Sequence, residues 1–462
     1  MTDIVVVSNR GPVSYRLEAG RPVASSASGG LAGTLRPLLA GSGTTWVAAT
    51  LGEGDRLAAR EGLIEADGIR VVPVDTEPAV FQMAYEVISN GTLWFCHHHL
   101  FDLARRPRFD WHWHEAWAGF RRYNRAFANA VIEEAPNGAT VLVQDYHLSL
   151  LGSMLAEARP DLSSVHFLHT PFGEPDMVGV LPAAAAGELL AGLAGFGACG
   201  FHTERWASAF GRCYDDPELA AAAGTTAPPT FVAPLGPAPE ALAASAVDPA
   251  TVAASKRLAE ATAGRRLIVR VDRIELSKNL LRGFWAFEEL LETRPRWRGE
   301  VVFAAFAYPS RESLAEYIGY RSEVEHTVAR INERFGTPEW TPILFDPADN
   351  YPRSLAGLIS YDVLLVNPVR DGMNMVAKEG PLLNKRDGVL VLSRLAGAWD
   401  ELSNAAIGVN PFDITGTAEA LEVALLMAPE ERARRATQLA QAVGARTASD
   451  WLDDQLRAAA RP

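Results

Sequence analysis

The chain alternates short β-rich runs with helical stretches, and it does so twice, on either side of a proline-rich segment. This restricts the fold most, because a strand followed by a helix returns the next strand parallel to the first. The first half predicts strands at 4–8, 45–49, 71–74, 141–143, 165–168 and 198–201, with helices at 31–39, 116–134, 148–158, 183–194 and 204–214. A loop is expected at 220–230, and then Phe231-Val-Ala-Pro-Leu-Gly-Pro-Ala-Pro-Glu240 reads as a strand running into a hinge. The second half predicts strands at 267–271, 301–306, 343–345, 363–366, 389–392 and 406–409, with helices at 280–293, 313–335, 354–359, 375–384 and 418–427.

The fold class expected is α/β, with two Rossmann-like doubly wound parallel sheets. At 462 residues the chain is too long for one core. The expected domains are 1–234 and 235–444, with a tail helix at about 445–462 crossing back onto the first. Ligands in such folds bind at the carboxyl ends of the strands, so a cleft shared by two sheet edges is the expected site.

Composition narrows the partners. Lys and Arg number 43 against 56 Asp and Glu, a net charge of −13, which argues against nonspecific nucleic-acid or anionic-membrane binding. A phosphate-bearing ligand must then be held by a few placed cations. The three cysteines, Cys96, Cys199 and Cys213, match no zinc spacing and read as reduced thiols of a cytoplasmic protein. Met1-Thr-Asp-Ile-Val-Val-Val has no basic run before its apolar residues and does not read as a signal peptide. The weakly polar stretch 178–201 is interrupted by Pro182 and Glu188 and reads as a buried helix and strand rather than a membrane span.

Chemistry-bearing residues gather at predicted strand ends. The run 363–366 leads through Asn367-Pro368 to Arg370-Asp371-Gly372-Met373-Asn374-Met375-Val376, with Glu379 expected about two turns into the next helix. Arg273 and Lys278, in Arg270-Val-Asp-Arg-Ile-Glu-Leu-Ser-Lys-Asn279, follow another strand, where two cations suit a diphosphate leaving group. Arg311 follows a third strand and could grip a second phosphate with Arg10, which ends the opening strand. The pair Gly29-Gly30 precedes a helix and would let a phosphate approach backbone amides, though taken alone it reads better as a plain flexible loop. Asp145 and Tyr146 end one strand and His169 the next, as a site or as structural residues.

His97, His98 and His99, with His112 and His114, invite a metal reading if His97 and His99 share a strand face. No Cys or carboxylate partner has ligand spacing, so no metal and no cofactor are expected. The aromatic run 111–123 reads as packing.

Taken in order, Ser-Asn-Arg, Gly-Gly-Leu, Asp-Tyr-His, Leu-His-x-Pro-Phe, Arg-x-x-x-Ser-Lys and Arg-Asp-Gly-Met-Asn-x-Val-Ala-Lys-Glu resemble the retaining glycosyltransferase family of trehalose-6-phosphate synthases, from Val5 to about Phe412. The resemblance implies a GT-B fold and transfer of glucose from a nucleoside diphosphate glucose to glucose 6-phosphate, giving α,α-trehalose 6-phosphate. It implies that Arg273 and Lys278 hold the donor diphosphate, assisted by Gly30 and by backbone near Met375 and Val376, and that Glu379 holds the ribose. It implies that His169 and Asp371 take glucose hydroxyls with backbone at Gly372, Met373 and Asn374. Arg10 and Arg311 would bind the acceptor phosphate, and Asp145 and Tyr146 position that sugar.

Departures from the family pattern are His99 in place of an acceptor-pocket tyrosine, Glu275-Leu276 for Asp-Tyr, and Gly173 for proline. The segment 345–351 and Phe306 fit a uridine site poorly, which leaves the base open with a slight lean to GDP-glucose over UDP-glucose. Competing readings are a transferase with another phosphorylated acceptor, such as a glucosylglycerol-phosphate or pseudoglycosyl synthase, and a catalytically silent sugar-phosphate sensor. Oligomeric state stays open, a homo-oligomer included. A glycoside hydrolase would need a carboxylate pair about 5–9.5 Å apart, for which no candidate stands out.

Overall fold

A computed structural model of the chain describes residues 3–25 and 30–460. The chain divides into two compact units, 1–235 with 448–462, and 236–447.

The first unit holds an eight-stranded sheet in the order Thr230–Val232, Ala198–Phe201, Ser163–Leu168, Thr140–Gln144, Ile4–Ser8, Thr45–Ala49, Ile69–Val74 and Glu65–Ala66. All neighbours are parallel except the last pair. Val5, Val6, Val7 and Val141, Leu142, Val143 are fully buried, as β-branched runs covered by helices on both faces should be. Connections leave Ile4–Ser8 and Thr140–Gln144 in opposite directions, so the switch point of this sheet lies between them. Arg10 and Asp145 follow those two strands directly.

The second unit holds six parallel strands in the order Ile343–Phe345, Val301–Tyr308, Arg266–Arg273, Val363–Val366, Val389–Ser393 and Ile407–Val409. Its switch point falls between Arg266–Arg273 and Val363–Val366. Those strands lead into the two segments richest in candidate residues, as open α/β sheets require of a ligand site.

Several expectations needed correction. His97 lies in a helix, Trp94–His98, which continues a π-helical turn over Met83–Leu93, and His99 follows it with φ 55°. No strand face is shared, and no group of three or more metal-ligating side chains occurs among the described residues. A hairpin, Ser14–Glu18 with Arg21–Ser25, was not anticipated, because beyond its turn, Ala19-Gly20, each strand offers only a two-residue apolar alternation and is at most half-buried. The segment expected as loop at 220–230 begins inside a helix, Pro217–Ala223, capped by Asp216. Beyond the hinge, Pro239–Ala246 and Pro249–Thr262 are helices, each with proline at its first position, where the missing N–H costs nothing. The aromatic run sits inside the helix Trp111–Glu134, with Trp113, Trp117, Phe120 and Tyr123 in the core of the first unit. The stretch 178–201 forms the helix Ala183–Ala194 and the strand Ala198–Phe201, and no described helix is long and apolar enough to cross a membrane.

Candidate active site

In the second unit the strand Arg266–Arg273 ends and a short turn, Leu276–Lys278, brings Lys278 back beside the neighbouring strand's exit. Lys278 Nζ lies 2.6 Å from Asp371 Oδ2, which also accepts from Asn374 Nδ2 at 3.0 Å. Asn374 has φ 81°, a left-handed geometry that asparagine tolerates, and its Oδ1 accepts from Ala377 N at the start of the helix Val376–Leu383. The Asp371 backbone is pinned by Leu395 O at 3.2 Å and by Gly397 N at 3.1 Å. A Cβ on Gly397 would lie 2.0 Å from Gly372 O, so only glycine admits this approach. Burial pushes the Lys278 ammonium toward its neutral form, but Asp371 and Asp272 outweigh it and raise its pKa.

Beside this pair, Arg273 and Arg311 share one carboxylate oxygen. Glu275 Oε1 lies 3.2 Å from Arg273 Nη1 and 3.1 Å from Arg311 Nη1, and it accepts from Ser310 Oγ at 2.8 Å. Glu275 is fully buried, which alone would raise its pKa. Arg273, Arg311 and Lys278 overcome that and hold it at about 2. Arg311 has φ 49° and also donates to Tyr317 Oη at 2.7 Å. Arg270 is buried on the strand with Asp272 Oδ2 and the Lys278 carbonyl each 2.8 Å from its Nη2. A Cβ on Gly283 would lie 2.5 Å from Arg270 Nη1, so the glycine makes room for the guanidinium.

Glu379 differs from its neighbours. The helix starts at Val376, so Glu379 sits in its first turn, one turn earlier than expected. No cation offsets its burial, which pushes its pKa up to about 7. Met373 and Asn374 are buried, and Met375 and Val376 half-buried, where the first amides of the helix lack intrahelical acceptors.

The first unit builds its rim differently. Ser8 Oγ donates to Arg10 O at 2.7 Å, Tyr123 Oη donates to Asn9 Oδ1 at 2.6 Å, and Arg10 is exposed. Asp145 has φ 70°. Its N donates to Phe167 O at 2.8 Å, and its Oδ1 lies 3.4 Å from His169 N. His169 Nε2 lies 3.1 Å from Gln144 Oε1, and burial together with His202 and His166 holds the imidazole neutral. Tyr146 is 1% exposed, and its hydroxyl donates to Asn90 Oδ1 at 3.0 Å. His99 Nε2 accepts from Glu174 N at 3.3 Å and His97 Nδ1 from Gly173 N at 3.1 Å.

The structure thus brings Arg273, Lys278, Arg311, Asp371 and Asn374 into one cluster of the second unit, and Asp145, Tyr146 and His169 onto adjoining strand ends of the first. Gly30 begins the helix Gly30–Leu39, whereas Gly29 lies outside the described residues. Residues not anticipated are Arg270, Asp272 and Asn90. Arg270 and Asp272, two apart on an apolar strand, share a face and could have been read as a buried pair. Asn90 carries no such signal.

The family model described as glycosyltransferase family 20 matches residues 2–461. A trehalose-6-phosphate synthase of Mycobacterium sp. (strain JLS) is 34% identical, over 97% of this chain and 94% of its own length. The bifunctional trehalose-6-phosphate synthase/phosphatase of Thermoproteus tenax is 34% identical, but this chain spans only 53% of its length. The alpha,alpha-trehalose-phosphate synthase (UDP-forming) A of Dictyostelium discoideum is 33% identical, and this chain spans 61% of its length. Among solved structures, the Escherichia coli enzyme bound with UDP-2-fluoro glucose has a TM-score of 0.85 at 28% identity, covering 100% of both chains. That of Burkholderia xenovorans in complex with glucose-6-phosphate has a TM-score of 0.84 at 30% identity, covering 98% of this chain and 99% of the other. With its GT-B pair of parallel-sheet units and a match along nearly its whole length, the chain belongs to glycosyltransferase family 20.

Proposed function

We propose that the chain is a retaining glucosyltransferase that moves glucose from a nucleoside diphosphate glucose to glucose 6-phosphate, giving α,α-trehalose 6-phosphate. The observation that carries this is the cluster of Arg273, Lys278 and Asp371 at the switch point of the second sheet. A departing diphosphate gains charge in the transition state, and cations already fixed and ionised stabilise it without reorganising. Asp371 keeps Lys278 charged at rest, and as a sugar-hydroxyl acceptor it would then fix the glucose beside it. The second unit supplies the donor contacts, with Gly372 to Val376 and Glu379 on backbone, sugar and ribose. The first supplies Arg10, His99, Asp145 and Tyr146 for the acceptor, joined by Arg311. The acceptor hydroxyl attacks on the face the diphosphate leaves, and a leaving-group oxygen takes its proton.

The lean toward GDP-glucose has no support. Relatives from Dictyostelium discoideum and Schizosaccharomyces pombe are named UDP-forming, and the Escherichia coli structure carries a uridine donor analogue. UDP-glucose is therefore the proposed donor and the cytoplasm the proposed location. Turnover with UDP- or GDP-glucose against glucose 6-phosphate or glycerol 3-phosphate tests the reading. Trehalose 6-phosphate should form fastest from UDP-glucose and glucose 6-phosphate. Faster transfer to glycerol 3-phosphate would move the acceptor assignment, and binding without turnover would make the protein a sensor.

A further inference from the structure

The last helix, Ala448–Ala459, reaches the His169 strand end through two buried amides. Gln455 and Gln144 are both 0% exposed. Gln144 Nε2 donates to Gln455 Oε1 at 2.8 Å, and Gln144 Oε1 faces His169 Nε2 at 3.1 Å. Trp451, one turn before Gln455 and so on the same helix face, packs its ring 5.5 Å from that of His169 and edge-on to Phe167 at 5.2 Å. The second polar atom of Gln455, Nε2, is buried with no hydrogen-bond partner among the described residues. An amide held at that cost, where methionine would fill the same volume, is kept for its oxygen.

We infer that Gln455 is a positioning residue that sets the tautomer of His169 through Gln144, and thereby makes His169 a receiver of sugar hydroxyls rather than of phosphate. The oxygen of Gln455 orients the Gln144 amide, whose own oxygen then takes the proton on His169 Nε2. A neutral imidazole with Nε2 protonated has one nitrogen left, Nδ1, and it can only accept. An acceptor nitrogen suits a hydroxyl that donates and repels a phosphate oxygen. Burial keeps the ring from charging and becoming a double donor. The relay stands on geometry alone, while the hydroxyl it serves rests on the reading of His169 as a contact to the transferred glucose.

Full-length protein labelled with [15N]histidine tests this, with the His169 signal assigned by its loss in His169→Gln. His169 should carry its proton on Nε2 in the wild type. In Gln455→Met the Gln144 amide loses its acceptor, turns its NH2 toward the ring and moves the proton to Nδ1. The donor-sugar KM should then rise roughly tenfold, as loss of one hydrogen bond implies, with the glucose 6-phosphate KM unchanged. Gln455→Glu keeps an oxygen at that place and should restore the Nε2–H form. A purely structural residue would lower thermal stability in both variants and leave the tautomer alone. Nδ1–H in the wild type, or Nε2–H surviving in Gln455→Met, overturns the relay. Full activity of His169→Gln would instead remove the sugar contact and leave the relay standing.

Discussion

The two strand-end clusters solve different problems with different chemistry. In the second unit three carboxylates near the switch point each have a cation, and Glu379 is the exception: Asp272 with Arg270, Glu275 with Arg273 and Arg311, and Asp371 with Lys278. In the first unit the His169 imidazole is neutral and linked through Gln144 to Gln455, and Asp145 accepts from His169 N on Oδ1 and from His166 Nε2 on its main-chain oxygen. Sugar hydroxyls need directional donors and acceptors. A diphosphate needs charge, and charge in a dry site must be balanced before the ligand arrives or it neutralises itself. The acid–base pairs of the second unit read as that balance.

The balance is easiest to break at Arg270. Its guanidinium compensates a carboxylate that burial already pushes toward its neutral form. Arg270→Met strands Asp272 without a partner, which typically costs about 3–5 kcal/mol. Thermal unfolding of the second unit should drop by roughly 10 °C. The double variant Arg270→Met with Asp272→Asn should recover most of the loss. If the single variant melts with the wild type, the pairs are not structural counterweights and the contrast between the clusters fails.

The next effect is on rate. Lys278→Ala or Arg273→Ala should lower kcat by ~10²–10³, the usual cost of losing one fixed donor to a developing anion. Arg273→Ala should change stability much less, since Arg273 is 40% exposed and Glu275 keeps Arg311, whereas Lys278→Ala removes the cation 2.6 Å from Asp371 and should also lower the melting temperature. Near-normal turnover in both would leave the second unit with charges that serve folding only.

How much of this was readable beforehand follows from what local sequence encodes. Strands at 4–8, 45–49, 198–201 and 363–366 form with those same bounds, because a buried parallel strand is a bare apolar run between turn residues, and the half-buried edge strand 343–345 is a short apolar run of the same kind. The hairpin Ser14–Glu18 with Arg21–Ser25 pairs Tyr15 with Ala24 and Leu17 with Pro22, an apolar alternation only two residues long on each strand and too short to stand out. The π-helical turn at Met83–Leu93 depends on a hydrogen-bond shift that residue pattern does not encode. In the site, Lys278, Arg273 and Asp371 stood out as charges after apolar runs. Asn90, 56 residues from its partner Tyr146, and Gln455, 311 from Gln144, act through contacts that only the tertiary fold creates.

The smallest effect tests the one carboxylate that departs from the ionic pattern. Glu275 and Glu379 are the same residue type, the first fully buried and the second half-buried, yet the first is held at about 2 and the second pushed up to about 7. The difference is three cations against none. With its folded pKa above its ordinary 4.5, Glu379 keeps a proton between about 4.5 and 7 that the unfolded chain has lost. Its contribution to stability is therefore complete below 4.5, fades as pH rises toward 7, and is gone above it. Ligand binding runs the other way. A ribose diol donates two hydrogens, which an ionised carboxylate accepts and a protonated one accepts poorly. The UDP-glucose KM should fall a few-fold as pH rises through about 7, while thermal stability declines from about pH 4.5 to 7 and levels off above it. Glu379→Gln should flatten both curves. Opposite slopes in the wild type would tie one carboxylate to both effects; a flat KM would separate Glu379 from the ribose and leave its raised pKa a matter of packing.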